Sequence, residues 1–184
     1  MAEEMMIAKM CAPTLAGLKT GRLYRYRYTT RSEMLKAVRE WNRKLSPKGV
    51  ILVTLRFEGQ NALIYAFRPK QLRKDFRTEN VAKLLREFGY NPEKKENCIA
   101  TLIERISEGR DFPHEIGLFL GYPPEDVRGF IENRAGGYKA VGCWKVYGDE
   151  TEAKRKFETY RRCTNWFVKR LSGGERLERL TVPI

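Results

Sequence analysis

One thiol and one imidazole are the groups in this sequence best suited to nucleophilic or acid–base chemistry. The chain has a single histidine, His114, followed directly by Glu115, and Cys11 lies far upstream, just before Ala12-Pro13. A cysteine in the first turn of a helix faces free N–H groups and the positive end of the helix dipole, and both favour the thiolate. If folding brought His114 to Cys11, the imidazole would take the thiol proton, and Glu115 would orient a ring or bind a substrate. We therefore predict a catalytic site of Cys11, His114 and Glu115.

The alternative for these residues is a structural role. Cysteine is among the most buried residue types, and a lone histidine often caps or hydrogen-bonds a loop. Cys98 and Cys163 lie on or beside apolar helical stripes, and Cys143 lies next to Trp144 in a candidate strand. No C-x-x-C pair occurs, so the sequence predicts no metal site. Motifs for nucleotides, flavin or haem are missing too, and we predict no cofactor.

An excess of basic residues near the start of the chain indicates an anionic partner. Net charge is +13, and the segment from Lys19 to Lys48 has ten basic residues against Glu33 and Glu40. Such a segment favours a polyanion or an acidic protein, although charge alone also serves solubility. The tyrosines of RLYRYRY would stack on bases while its arginines meet phosphates. The candidate nucleic-acid or anion-binding residues are Arg22, Arg25, Arg27, Arg39 and Arg43.

The stretch FPHEIGLFLGYPPEDVRGFIENR, residues 112–134, has the spacing of a helix-turn-helix. Its second helix would begin at Pro123-Pro124, so Glu125 and Asp126 would lie where DNA contacts should fall and would repel phosphates. A short αα-corner is the alternative, with Asp111 or Phe112 starting the first helix and Gly121 ending it.

The elements that must position these residues alternate between strand and helix patterns. Arg22–Tyr28 alternates strictly, and Val50–Phe57 with Ala62–Phe67 predicts a hairpin. Ala140–Tyr147 is a fourth candidate strand. We predict an α+β fold: a small, mainly antiparallel sheet, made of the hairpin plus one or two further strands and covered by several helices.

Helical stripes supply the predicted core of a single domain over residues 1–184. One helix follows Ser32 as its N-cap, and another covers about Glu150 to Leu171. Shorter helices are predicted over Glu79–Phe88 and about Glu93–Ser107, and Cys11-Ala12-Pro13 should interrupt an N-terminal one. The side chains predicted to be buried are Leu35, Val38, Trp41, Phe157, Tyr160 and Phe167.

The compartment predicted from the sequence is the cytoplasm. The first ten residues, MAEEMMIAKM, lack the basic-then-apolar pattern of a signal peptide. No apolar run approaches the roughly 18–20 residues that span a bilayer, so we predict no membrane association. The four cysteines should then be reduced thiols.

Several motifs resemble one known family along nearly the whole chain. They are CAPTLAGLK, SPKGVILV, FPHEIGLFLGYPPEDVRGFIENR, VGCWKVYGD and GERLERLTV. These resemble the bacterial, largely clostridial, domain of unknown function 3793, whose hallmarks P-H-E and L-G-Y-P match Pro113–Glu115 and Leu120–Pro123. The resemblance implies no particular reaction or substrate. Some members are encoded near flavodoxins or iron-uptake genes, so it implies a flavodoxin-like acidic redox partner for a basic face.

Three functions therefore stay open at this point. The first is a thiol-based enzyme built on Cys11 with His114 and Glu115. The second is a basic nucleic-acid-binding module, and the third is a module that docks an acidic protein without catalysis.

Overall fold

The chain forms two compact units. The computed structural model describes residues 2–108 and 112–183. The first unit comprises Met1–Lys70 with Tyr160–Ile184, and the second comprises Gln71–Thr159. The single domain expected from the length stays a prediction. In chain order the elements are α1 (Ala2–Leu15), β1 (Gly21–Arg27), α2 (Arg31–Leu45), β2 (Ile51–Glu58), β3 (Asn61–Phe67), α3 (Pro69–Phe76), α4 (Glu79–Glu87), α5 (Lys95–Glu108), α6 (Ile116–Phe119), α7 (Pro124–Glu132), β4 (Ala140–Val141), β5 (Lys145–Val146), α8 (Glu150–Ser172) and α9 (Leu177–Leu180).

A three-stranded antiparallel sheet lies at the centre of the first unit, and the predicted α+β class is confirmed. The strand order is β1-β3-β2, so the predicted hairpin β2–β3 is present and β1 pairs with its other side. Gly59 in the hairpin turn has φ +56°, a conformation that glycine adopts without steric cost. Tyr24 pairs with Ile64, and both side chains lie in the core.

Helix α1 runs without a break through the position where an interruption was expected. Pro13 lies inside the helix, within its last turn. Proline removes one backbone hydrogen bond there. The buried face formed by Ile7, Ala8, Cys11 and Leu15 offsets that loss, because it packs into the core of the unit.

Helix α2 begins earlier than predicted and is rotated relative to the expected stripe. Thr30, and not Ser32, is the N-cap, and its hydroxyl accepts from the Glu33 N–H at 3.3 Å. Trp41 is buried as predicted, but Leu35 is 40% exposed, so its predicted burial is wrong. Met34 is buried instead. It lies seven residues before Trp41, which is about two helical turns, so the two side chains are on the same side of α2.

The buried guanidinium of Arg68 joins distant segments of the first unit. Its Nε donates to the Thr14 carbonyl at 2.6 Å, and its Nη2 donates to Leu15 at 2.6 Å and Val182 at 2.7 Å. Its Nη1 donates to the Lys48 carbonyl at 3.0 Å. Burial lowers the pKa of this guanidinium, yet arginine stays protonated in proteins. The charge is therefore stabilised by carbonyl groups, two of them at the negative end of α1.

The second unit consists of helices and one short hairpin. Phe119 of α6 packs edge-on against Phe76 and Tyr90, with ring centroids 5.0 and 5.4 Å apart. The predicted single strand Ala140–Tyr147 is wrong: β4 and β5 are two-residue strands paired antiparallel. A Cβ at Gly142 between them would lie 2.3 Å from the ring of Phe157, so this turn requires glycine.

The start of the corner also differs from the prediction. Asp111, one of the two proposed helix starts, lies outside the described residues. Phe112 and Pro113 have no regular secondary structure, and α6 begins only at Ile116. Gly121 ends α6 as predicted, with φ +74°.

We expect Arg68→Met to lower the free energy of unfolding by about 3–5 kcal/mol, because the carbonyls that it binds would lose their donors inside the protein. Urea denaturation measures this change. Arg43→Met is the control, since Arg43 is exposed on α2 and should change stability by less than about 0.5 kcal/mol. Equal effects of the two substitutions would contradict the role given to Arg68.

Candidate functional site

The carboxylate of Asp126 holds together the corner and the hairpin of the second unit. This side chain is 3% exposed. Its Oδ2 accepts from the indole Nε1 of Trp144 at 2.6 Å, and its Oδ1 accepts from the N–H groups of Tyr147 and Gly148, both at 2.7 Å. Asp126 also lies in the first turn of α7, where the helix dipole favours a negative charge. Both carboxylate oxygens thus accept hydrogen bonds from the protein.

Two glycines allow the close packing that forms this site. A Cβ on Gly117 of α6 would lie 2.7 Å from Cγ2 of Val127 on α7. A Cβ on Gly129 of α7 would lie 2.4 Å from Cγ of Tyr147. Side chains larger than hydrogen at these positions would push α6 and the hairpin away from α7.

A pocket lies between α6, α7 and the hairpin. Its cavity volume is about 180 Å³. Tyr122 and Trp144 form one wall with ring centroids 4.9 Å apart, and the Tyr122 hydroxyl donates to the Cys143 carbonyl at 3.0 Å. The lining is mainly apolar and aromatic: His114, Ile116, Gly117, Tyr122, Asp126, Val127, Phe130, Trp144 and Lys145.

Two basic side chains lie at the pocket. His114 is exposed, and its ring meets Phe130 edge-on with centroids 5.0 Å apart. Lys145 is held in place by a 2.6 Å hydrogen bond from Nζ to the Ala135 carbonyl and by the ring of Tyr138, 4.7 Å away. An ammonium group has three N–H donors, so Lys145 retains donors for a ligand.

Glu115 faces a different environment from its neighbour His114. It is buried, and its Oε1 accepts from the Tyr90 hydroxyl at 3.0 Å and from Nη1 of Arg105 at 2.8 Å. The Arg105 guanidinium also donates to the Phe88 carbonyl and lies 4.6 Å from the centre of the Tyr90 ring. Burial, followed by the Glu115 charge, raises the pKa of Tyr90. These contacts account for Glu115 as an internal ion-pair partner of α5.

Cys11 lies in the core of the first unit and lacks the features expected of a reactive thiol. It is fully buried in the middle of α1, where no free N–H groups end the helix. Burial raises the pKa of its thiol to about 12, although the charges of Arg22 and Lys19 act in the opposite direction. The expected lowering of the Cys11 pKa is therefore wrong, because desolvation outweighs both cations.

The arginines of β1 point to both sides of the sheet. Arg25 and Arg27 are exposed and alternate with Tyr24 and Tyr26, whose rings pack on the core. Arg22 shares the tyrosine side and is half-buried.

Helix α2 covers that tyrosine side and carries its own arginines outward. Met34 and Trp41 of α2 belong to the same core cluster as Tyr24. Arg39 and Arg43 are exposed on the outer side of the helix. The five predicted anion-binding arginines therefore do not share one face.

The hairpin β4–β5 and the residues that follow it pack on the N-terminal half of α7, which is the part that a DNA-reading helix inserts into the groove. Asp126 in the first turn binds the hairpin, and Gly129, one turn later, lies against Tyr147. A recognition helix contacts bases through its N-terminal residues. The αα-corner is present as α6, the turn at Gly121 and α7, and the helix-turn-helix alternative stays a prediction that this packing disfavours.

Two kinds of site do not occur in the part of the chain that the structure describes. No group of three His, Cys, Asp or Glu residues there could hold a metal ion. No described helix is both long and apolar enough to cross a membrane.

Comparison with known families supports the resemblance carried by the motifs. Residues 7–181 match the model of the family described as "Protein of unknown function (DUF3793)". The chain belongs to this family. No match was found among curated proteins or among solved structures. In this chain Pro113-His114-Glu115 contributes His114 to the pocket, whereas Glu115 is buried.

Most of the residues that line the pocket were not predicted from the sequence. Tyr122, Trp144 and Lys145 lie in motifs that carried the resemblance, which is the one signal that singled them out. Asp126 and Phe130 lie in the motif of residues 112–134 as well. No local signal marked Asp126 as a partner of the hairpin, because an acid in the first turn of a helix ordinarily just complements the dipole.

We expect Asp126→Asn to lower the free energy of unfolding by about 2–4 kcal/mol, because an amide NH₂ would face either the Trp144 indole N–H or the two backbone N–H groups. Urea denaturation with near-ultraviolet circular dichroism measures both stability and the packing of the indole. Glu125→Gln is the matched control, since Glu125 is exposed on the same turn of α7. A similar loss in both variants would show that only the dipole is involved.

Iodoacetamide should modify the native protein at half-buried Cys143 well before Cys11. A pKa of about 12 leaves very little of the Cys11 thiol ionised at pH 8, so its labelling should be far slower than that of an ordinary thiol. Its labelling rate should still rise steeply from pH 8 to pH 10, where the rate of an ordinary thiol levels off. Peptide mapping by mass spectrometry identifies the labelled cysteine. Equal labelling of Cys11 and Cys143 would restore the thiol hypothesis.

Proposed function

We propose that this protein is a docking module whose pocket at His114 and Lys145 takes a ring-sized apolar group next to a carboxylate. The observation that carries the proposal is the aromatic pocket of about 180 Å³ with a fixed ammonium group at its edge. It corresponds to the third function left open by the sequence, the docking of an acidic partner.

The size and lining of the pocket favour a single ring or a branched aliphatic group. An apolar cavity of about 150 Å³ is enough to hold benzene. The rings of Tyr122, Phe130 and Trp144 offer faces and edges for offset or edge-on contacts with such a group. An apolar group that enters this pocket leaves water at little polar cost.

The charges around the pocket favour an anion over a cation. Lys145 is positioned before any ligand arrives, so binding costs little side-chain entropy. The Asp126 carboxylate also borders the pocket, but three N–H donors of the protein bind its two oxygens and partly offset its charge. A carboxylate beside the ring would therefore meet the Lys145 ammonium and the edge of the His114 imidazole.

The lining supports binding better than catalysis. Among the described residues that line the pocket there is no thiol, hydroxyl of serine or threonine, or unpaired carboxylate to act as a nucleophile. The same chemistry would suit a free aromatic acid or a partner protein that presents phenylalanine beside an acidic residue.

We also propose a cytoplasmic location for the protein, which is supported by its four free cysteines.

Titration with benzoate, benzyl alcohol and benzylamine, followed by ligand-observed NMR, tests the proposal. We expect benzoate to bind about tenfold or more tightly than benzylamine, because one charge-assisted hydrogen bond is worth about 1.5–3 kcal/mol. Lys145→Met should weaken benzoate about tenfold and leave benzyl alcohol nearly unchanged. In a second set of titrations, a blocked Glu-Phe-Glu peptide is compared with phenylacetate. Tighter binding of the peptide would identify a protein partner, and not a free aromatic acid, as the source of the apolar ring.

The matched control is Lys139→Met, because Lys139 directly precedes β4, the strand paired with β5, and instead donates to the Gly148 carbonyl at 2.8 Å. It removes the same charge but should not alter the preference for benzoate. Equal binding of the three probes, or equal effects of the two lysine variants, would contradict the proposal.

A further inference from the structure

The part of α8 in the first unit has two unlike sides. Tyr160, Phe167 and Leu171 are buried, and Cys163 packs against the same core. The opposite side is exposed along its whole length. We call it the α8 basic face, and its residues are Arg161, Arg162, Asn165, Trp166, Lys169 and Arg170.

An exposed indole lies in the middle of this face. Trp166 is 49% exposed, whereas the other two tryptophans are 6% and 7% exposed. Its ring meets Phe167 edge-on at 5.4 Å, and the guanidinium of Arg170 lies 5.5 Å from its centre. Phe167 thus contacts the indole from the core side, and about half of the Trp166 side chain stays accessible.

The helical residues on both sides of Trp166 include basic side chains and no acidic ones. From Tyr160 to Ser172 the helix contains four basic residues and no acidic residue. Arg170 is paired with Glu175. Among the described residues, no acid pairs with Arg162 or Lys169, which lie one turn before and nearly one turn after Trp166.

We propose that the α8 basic face binds single-stranded nucleic acid, with a base stacked on Trp166 and phosphates bound by Arg162 and Lys169. Proteins that bind single strands combine a positive track with aromatic side chains on which bases stack. The face spans about 14 Å from Arg161 to Arg170, enough for a few nucleotides. It lacks the broad apolar stripe of a helix that lies in a membrane surface. This proposal concerns the first unit alone and is independent of the pocket.

Binding of a fluorescein-labelled oligothymidylate, measured by anisotropy over a range of salt concentrations, tests the proposal. We expect tight binding at low salt that weakens steeply as salt rises. The emission of Trp166 should be quenched, because it is the exposed tryptophan of the three. Trp166→Leu should abolish the quenching and weaken binding at least about fivefold, since stacking on one base contributes that much or more.

The double variant Arg162→Gln with Lys169→Gln tests the charges. It should weaken binding at least about tenfold and reduce the salt slope by about 1.4, the value for two single-strand phosphate contacts. The matched control is Arg31→Gln with Lys36→Gln, which removes the same charge from exposed positions on α2. The control should leave the slope nearly unchanged.

Three results would overturn the proposal. One is the absence of oligothymidylate binding at low salt, and another is an equal loss in the α2 control. The third is a combined result: polyglutamate or anionic phosphatidylserine vesicles compete as effectively as unlabelled nucleic acid, and Trp166→Leu does not change binding. In that case the face would be a general contact for acidic proteins or membranes.

Discussion

The three hydrogen bonds to one buried carboxylate are the interaction on which the candidate site depends. Asp126 belongs to α7, but its donors come from the hairpin and the segment that follows it, 18 to 22 residues further along the chain. A two-residue hairpin has little stability of its own. The carboxylate fixes its position, and with it the indole wall of the pocket and the ammonium of Lys145. The pocket is thus a consequence of one satisfied buried charge.

Two neighbouring residues of the P-H-E motif serve opposite purposes. Glu115 turns inward to Arg105 and Tyr90 and anchors the start of α6, whereas His114 turns to the pocket. The anchor limits the freedom of the loop that carries the imidazole. A rigid scaffold that positions an exposed polar residue is the common arrangement at binding sites.

Elements held by interactions between residues close in sequence could be predicted, whereas those that depend on residues distant in sequence could not. The hairpin β2–β3 and helix α4 were predictable, because apolar periodicity and a turn glycine are local signals. The buried state of Cys11 was not, since it depends on the sheet that α1 covers, and a local proline suggested the opposite. The role of Asp126 was not predictable either, because its donors are distant in sequence. Local chemistry therefore located the right stretch and His114 within it, but the roles of Glu115 and Asp126 depend on partners that are distant in sequence.

The most direct test is to observe where an aromatic acid lies in the protein. Intermolecular nuclear Overhauser effects between the ring protons of benzoate and the methyl groups of the protein report this position. The account predicts contacts to the methyls of Val127 and Ile116, which line the pocket. Contacts to methyl groups elsewhere, with none to Val127 or Ile116, would contradict the account.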